Sequence, residues 1–345
     1  MQAHGRLRVH SFDPNTPGHF PRIEELSKRI GKPAFNVCAI QAGERLRLLK
    51  LRDLAAYDEG AKTTESMQRP TLAGFRDEEA IAQAILSVTE TKSPKVAFLR
   101  GHGERAPDVV AVGAAGVYGL SKFVRGLSAQ NYTIVSLGLS EGKPLTKDDV
   151  DVVVVAEPVK QFAAHEVATL VTYAKAGGNL LLLLHPDSAT SLDFALLNEV
   201  YGLTRTLDPV CQETQFERWH SAPNSFEVDK GYSEHPIVKP LRAKQLRTHW
   251  EKSSGFTALG RMEQTDVELS PLVWTANSAW VDLAPHNLQY DPKAETKATQ
   301  FLGYAAQLKS GGRMVCYGCA TIFDDGSGRI EATPSDRDLG LNSVD

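Results

Sequence analysis

Residues 151–187 read DVVVVAEPVKQFAAHEVATLVTYAKAGGNLLLLLHPD. The run VVVVA (152–156) is apolar with no alternation, the pattern of a strand buried on both faces. Residues 163–178 carry helical spacing and stop at Gly177-Gly178, where a glycine can take the left-handed cap. NLLLLL (179–184) is a second apolar strand, and it gives way to polar residues at His185-Pro186-Asp187. Two continuously apolar strands joined through an amphipathic helix predict a parallel crossover with helices over both sheet faces.

The same rhythm extends outward. KVAFLR (95–100) predicts another buried strand, 117–130 a helix, and YTIVSL (132–137) a strand. Upstream, 7–92 reads as a smaller α/β unit. It has a strand at 7–12, a helix at 23–31 capped by Gly31, a hairpin over 35–51 turning at Ala42-Gly43, and a helix at 77–90 with Ile81, Ile85 and Val88 on one stripe. Ser93-Pro94 separates the two, so the expected domains are 1–92 and 93–345. Downstream, 204–270 loses the rhythm and reads as an irregular insertion. Order returns with 270–280, a helix over 295–312 and a strand over 313–318. AKAGGNLLLLL (174–184) and LKSGGRMVCYG (308–318) read as the same joint: helix, two glycines, buried strand.

Composition narrows the function classes. The chain has 345 residues, 42% hydrophobic and 23% charged, with a formal net charge of −4. That balance does not attract a polyanion, so nucleic acid is not an expected partner. No run of about 18 apolar residues is present. Cys316 and Cys319 form a lone CYGC with no second pair to complete a zinc set, and they close an apolar strand rather than open a helix. They read as core residues; the other two cysteines are Cys38 and Cys211.

Ligands in open parallel sheets bind beyond the carboxyl ends of the strands. Those ends carry Gly101, His102, Gly103, Glu104 and Arg105, then Glu157, then His185 and Asp187. They form the candidate ligand crevice. An acid/base or metal site using His102, Glu104 and Asp187 is one reading of it. A turn whose glycines serve the backbone is the other. No GxGxxG, GxxxxGK[ST] or GxSxG occurs to supply a phosphate cradle or a nucleophile elbow, so no cofactor and no metal is expected. His235, Trp250, Trp274 and Trp280 are either a sugar or peptide groove or, as isolated tryptophans usually are, core.

The ordered set of segments resembles the GldG-like family of ABC-transporter auxiliary components, first linked with gliding motility. It comprises Ala84-Ile85 with Val88-Thr89, the strand ending Gly101 to Glu104, Asp151 to Pro158, the helix Glu166 to Gly178, and His185-Pro186-Asp187. HPIVKPL (235–241), residues 274–280 and the strand after Gly311-Gly312 also fall where that family has counterparts. The last strand departs from it, ending CYGCATIFDD in place of a Gly-Asp-Ala-Ser-like turn.

The resemblance implies a flavodoxin-like or class I glutamine-amidotransferase-like domain related to the GIFT domain of intraflagellar transport proteins, without the amidotransferase nucleophile. It implies a region on the periplasmic side of the inner membrane, held by transmembrane helices lying beyond both ends of this sequence. Its partners would be permease and ATPase subunits, with other envelope proteins or a glycan or peptide ligand as further candidates. A non-enzymatic binding or scaffold role is therefore expected. A hydrolase or carbohydrate-binding enzyme built on His102, Glu104 and Asp187 is the alternative.

Overall fold

The computed structural model describes residues 8–13, 15–30, 37–58, 71–75, 77–89, 93–107, 112–113, 116–117, 119–140, 142–213, 222–260, 266–284 and 287–323. The chain divides into two compact units, Met1–Lys92 and Ser93–Asp345. Gly31, the expected cap of the first helix, lies outside the described residues.

In the first unit, Phe20–Ile30 is a helix and Val37–Ala42 pairs antiparallel with Arg45–Lys50 through a turn at Gly43, as the alternating sequence predicts. The helix Asp77–Thr89 packs on this hairpin. Its inward stripe runs through Ala84 and Val88, while Ile81 stays exposed. A second ribbon pairs Ala55–Asp58 with Thr71–Phe75. The strand expected over 7–12 is irregular at its described residues, where Phe12 sets its ring against His10 and His19 instead of entering a ladder.

The second unit is built on a nine-stranded sheet. Its elements are β1 (Lys95–Leu99), α1 (Ser121–Ala129), β2 (Thr133–Leu137), β3 (Val152–Ala156), α2 (Ala164–Lys175), β4 (Asn179–Leu183), β5 (Leu203–Arg205), β6 (Phe256–Ala258), β7 (Val267–Trp274), β8 (Phe301–Leu308) and β9 (Arg313–Tyr317). The parallel part runs β2-β1-β3-β4-β9. This is the doubly wound, flavodoxin-like order. Beyond β9 the sheet turns antiparallel: β8 pairs with β9, β7 and β6, and β6 with β5. Among the described residues, no helix is long and apolar enough to cross a membrane.

Side chains of successive strand residues point to opposite faces, so the apolar runs fill two cores. On one face Val96, Phe98, Val152, Val154, Leu181 and Leu183 meet Leu120, which caps α1, and Phe123 and Leu127 of that helix, together with Phe226, Tyr232 and Trp250 from the chain beyond β5. On the other, Ala97, Leu99, Val153, Val155, Leu180 and Leu182 meet Leu170, Tyr173 and Ala174 of α2 and the segment around Leu196 and Tyr201.

Two sequence readings give way here. The helix expected over 295–312 is strand β8, buried along nearly its whole length between β7 and β9. Accordingly the second Gly-Gly joint is the turn of the β8–β9 hairpin, not the end of a helix. Of the stretch read as irregular, 204–270, strands β6 and β7 and part of β5 belong to the main sheet; Ser225–Val228 and Thr248–Glu251 form a separate hairpin.

Candidate functional site

The chain leaves β1 and β3 in opposite directions across the sheet, so their carboxyl ends flank the topological switch point where open α/β sheets place their crevice. The loops leaving these strands are tied together there. The Arg105 N–H donates to the Ala156 carbonyl at 2.9 Å, and the Val159 and Lys160 N–H groups donate to the His102 carbonyl at 2.8 and 2.9 Å. Gly103 has φ +76°, and a Cβ on it would stand 2.4 Å from Cγ2 of Val159. The left-handed backbone angle favours a glycine at that crossing, and a Cβ would also displace the exposed Val159 side chain.

His102 is only 8% exposed. Its Nδ1 lies 3.2 Å from Oε1 of Glu104, its Nε2 3.0 Å from Oε2 of Glu166, and its ring stacks on Phe162 at 3.9 Å. Both ring nitrogens thus face carboxylate oxygens, and the ring ties the loop after β1 to α2. Each carboxylate has a second duty. Glu104 accepts the His102 N–H at 2.8 Å, and Glu166 accepts the Ala163 N–H at 2.7 Å in the first turn of α2. Burial pushes the Glu166 carboxyl upward, but the Ala163 N–H and the His102 ring outweigh it and hold the group below the ordinary glutamate range.

A second cluster forms on Glu157, the residue that follows β3. Its φ of +50° is left-handed, a costly conformation for a residue with a side chain. The buried carboxylate shows what fixes it: one oxygen pairs with Nε of Arg105, and the other accepts the Ala320 N–H at 2.6 Å. His185 Nε2 stands 3.8 Å away, beyond hydrogen-bond reach, while its Nδ1 accepts the Asp187 N–H. The carboxylate of Asp187 is exposed and pairs with Lys252 at 3.5 Å.

The eight residues read from the strand ends therefore separate. His102, Gly103 and Glu104 belong to one cluster, and Arg105, Glu157 and His185 to another. Gly101 is exposed with φ +131°, and a Cβ added to it would meet nothing within 4 Å. The carboxylate of Asp187 joins neither cluster.

Sequence reasoning missed two participants. Glu166 is the partner that links the β1 loop to α2. Its signal was its place in the first helical turn, three residues after Ala163. Arg205, with a fully buried side chain, holds the loop after β4. It donates to Asp193 Oδ1 at 2.9 Å and to the carbonyls of His185, Ser188 and Ala189 at 2.7, 2.8 and 3.3 Å. No motif marks Arg205, because it lies where the sequence rhythm is lost.

Among the described residues, no group of three or more His, Cys, Asp or Glu side chains is placed to hold a metal ion. Cys316 and Cys319 are free and lie in the cores of opposite faces. Burial pushes the Cys316 thiol up to about 12 and Cys319 to about 11. A bulky maleimide should leave both unlabelled in the native protein and modify both after unfolding. Rapid native labelling of either, read by mass spectrometry, would contradict a packing role. Trp250 and Trp280 are likewise core, 0% and 2% exposed, so they line no groove.

The chain is similar to several solved structures. The mmIFT52 N-terminal domain superposes with a TM-score of 0.50 at 17% identity, covering 72% of this chain and 96% of that one. Cytoplasmic Protein STM3548 from Salmonella typhimurium gives 0.41 at 12% identity, covering 73% and 97%. A putative ThuA-like protein from Bacteroides uniformis gives 0.40 at 12%, covering 74% and 92%. No curated protein matches the sequence. Residues 93–311, which include both ionic clusters and the sheet up to the β8–β9 turn, match the ABC-type uncharacterized transport system family. The chain belongs to that family.

Proposed function

We propose that this chain is a non-catalytic binding or scaffold domain of an ABC-transporter auxiliary component, working on the extracytoplasmic face of the membrane with separate permease and ATPase subunits. The observation that carries the non-catalytic part is the state of His102. Both ring nitrogens are engaged by carboxylates that also accept backbone N–H groups, and the ring is stacked and nearly closed to water. A general acid or base must reach a substrate atom, and a ring held in this way ties two loops together instead. The exposed Asp187 carboxylate pairs with Lys252, which weighs against it as the third member of the hydrolase alternative.

The transport part rests on the family match. The finer reading, a GldG-like component with a GIFT-like domain serving surface export or gliding motility, rests on the ordered motifs, and the fold shared with the mmIFT52 domain supports it. Affinity purification of the full-length gene product from its native host tests the proposal. We expect it in the membrane fraction together with an ABC permease and its ATPase. Recovery without either subunit, or a turnover of substrate lost in both His102→Ala and Glu104→Gln variants that remain folded, would refute it.

A further inference from the structure

The nine-stranded sheet ends on β2, β5 and β7, and the sequence treats these outer strands differently. β5 is three residues long and includes Arg205, a charged residue whose side chain is wholly buried. β7 contains Pro271, its register with β8 shifts on either side of Val273, and Val273 is bridged to Tyr232. Short length, an inward charge, proline and irregular register are devices that keep a sheet edge from pairing with another chain. β2 has none of them. It reads TIVSL over Thr133–Leu137, and its neighbours from Tyr132 to Leu139 bring no charge.

The outer side of β2 carries unpaired backbone. The Thr133 N–H donates to the Pro94 carbonyl at 2.8 Å, and the Leu137 carbonyl accepts the Arg100 N–H at 2.8 Å. Thr133, Val135 and Leu137 therefore turn their backbone groups toward β1, and Ile134 and Ser136 turn theirs outward. Among the described residues, nothing pairs with the backbone of either. Ile134 is partly buried against the core that holds Phe98 and Phe123, and Val135 and Leu137 against the core that holds Leu170 and Tyr173. Both cores thus reach this edge and stop there with apolar side chains partly uncovered.

We propose that β2 pairs with β2 of a second copy of this chain, antiparallel about a twofold axis through Val135, so that one sheet runs from one protomer into its partner. The outward groups set the register. Ile134 and Ser136 lie symmetrically about Val135, so Ile134 of one protomer meets Ser136 of the other and exchanges both backbone bonds with it. Val135 faces its own copy across the axis at the closer, non-hydrogen-bonded spacing, and Thr133 stands opposite Leu137. The uncharged segment sets no like charges against each other on self-pairing, and it offers no charge that would select an unlike strand. A contact of this kind is isologous and closes at two copies.

Sedimentation of the whole chain over a concentration series tests this, and a reversible monomer–dimer equilibrium is expected. Ser136→Pro removes an outward N–H that β1 does not use, at a position where an edge tolerates proline. It should raise the dimer dissociation constant about tenfold or more, because each protomer loses a donor. If that variant does not fold, Ser136→Lys and Ser136→Glu each replace an exposed side chain. Either one alone should weaken self-association, and mixing the two should restore it, since these side chains lie diagonally across the axis within reach of each other. A chain that stays monomeric at every concentration, a dimer indifferent to all three variants, or charge variants that do not rescue each other overturns the proposal. A monomeric chain whose Ile134 and Ser136 amides gain exchange protection only when an ABC permease subunit is added assigns the edge to that subunit and overturns it as well.

Discussion

Arg205→Met should lower the stability of the second unit by about 3–5 kcal/mol, the range for removing one partner of a buried ion pair. The side chain is wholly buried and its guanidinium serves Asp193 and three carbonyls, those of His185, Ser188 and Ala189. Methionine preserves much of the stem volume, so the deficit reports the unpaired acceptors more than a cavity. Burial already raises the Asp193 carboxyl, with Arg205 opposing it. Without Arg205 that group binds its proton still more tightly in the folded state. The deficit should therefore be largest where Asp193 would have to ionise, and shrink on acidification. Denaturant midpoints at two pH values measure this. A loss under about 1 kcal/mol at neutral pH would mean that the loop after β4 finds other donors at little cost.

Gly318→Ala should be nearly as damaging, costing about 3 kcal/mol, the upper part of the range for overpacking a filled core. A Cβ there would lie 2.0 Å from the Ser254 carbonyl oxygen and 2.3 Å from Ser253 Oγ, both residues fully buried. The crowding cannot be relieved by a rotamer change, because Gly318 is bonded on both sides: its N–H to the Leu302 carbonyl and its carbonyl to the Ser254 N–H. The strain passes to Ala320, whose N–H holds Glu157 in its left-handed turn. A fall in the denaturant midpoint with unchanged slope is the expected signature. An unchanged midpoint would show that the β9 end and Ser254 can separate freely.

The parallel half of the sheet was legible because burial on both faces leaves an uninterrupted apolar run, as in Val152–Ala156 and Asn179–Leu183. The same cause hid β8. FLGYAAQL is buried almost throughout, so it shows no alternation, and its alanines and leucines are good helix formers. Only pairing with β7 and β9, set by residues distant in sequence, makes it a strand. The strand ends were correctly located as polar punctuation, but not their grouping. Glu104 and Arg105 are adjacent, yet one serves His102 and the other Glu157. Proximity along the chain does not tell which side of a loop each side chain takes. Glu166 stands in the first turn of α2, where nothing local distinguishes it from an acid whose only task is capping.

The mixed sheet has a consequence for the order in which the molecule assembles. From Lys95 to Leu183 the parallel pairings join strands that are consecutive or one strand apart in the chain, so this half can close through contacts nearer in sequence. The β4–β9 seam, by contrast, joins Leu180 to Met314 and Leu183 to Tyr317 across the whole intervening chain. Closing so long a loop carries the larger entropic cost, and the contacts that offset it come only once the β8–β9 hairpin is available to dock. Until then, the free edge of β4 and its leucines remain open to strand pairing with another chain. Concentration during refolding therefore bears on the yield of this half more than on its final stability.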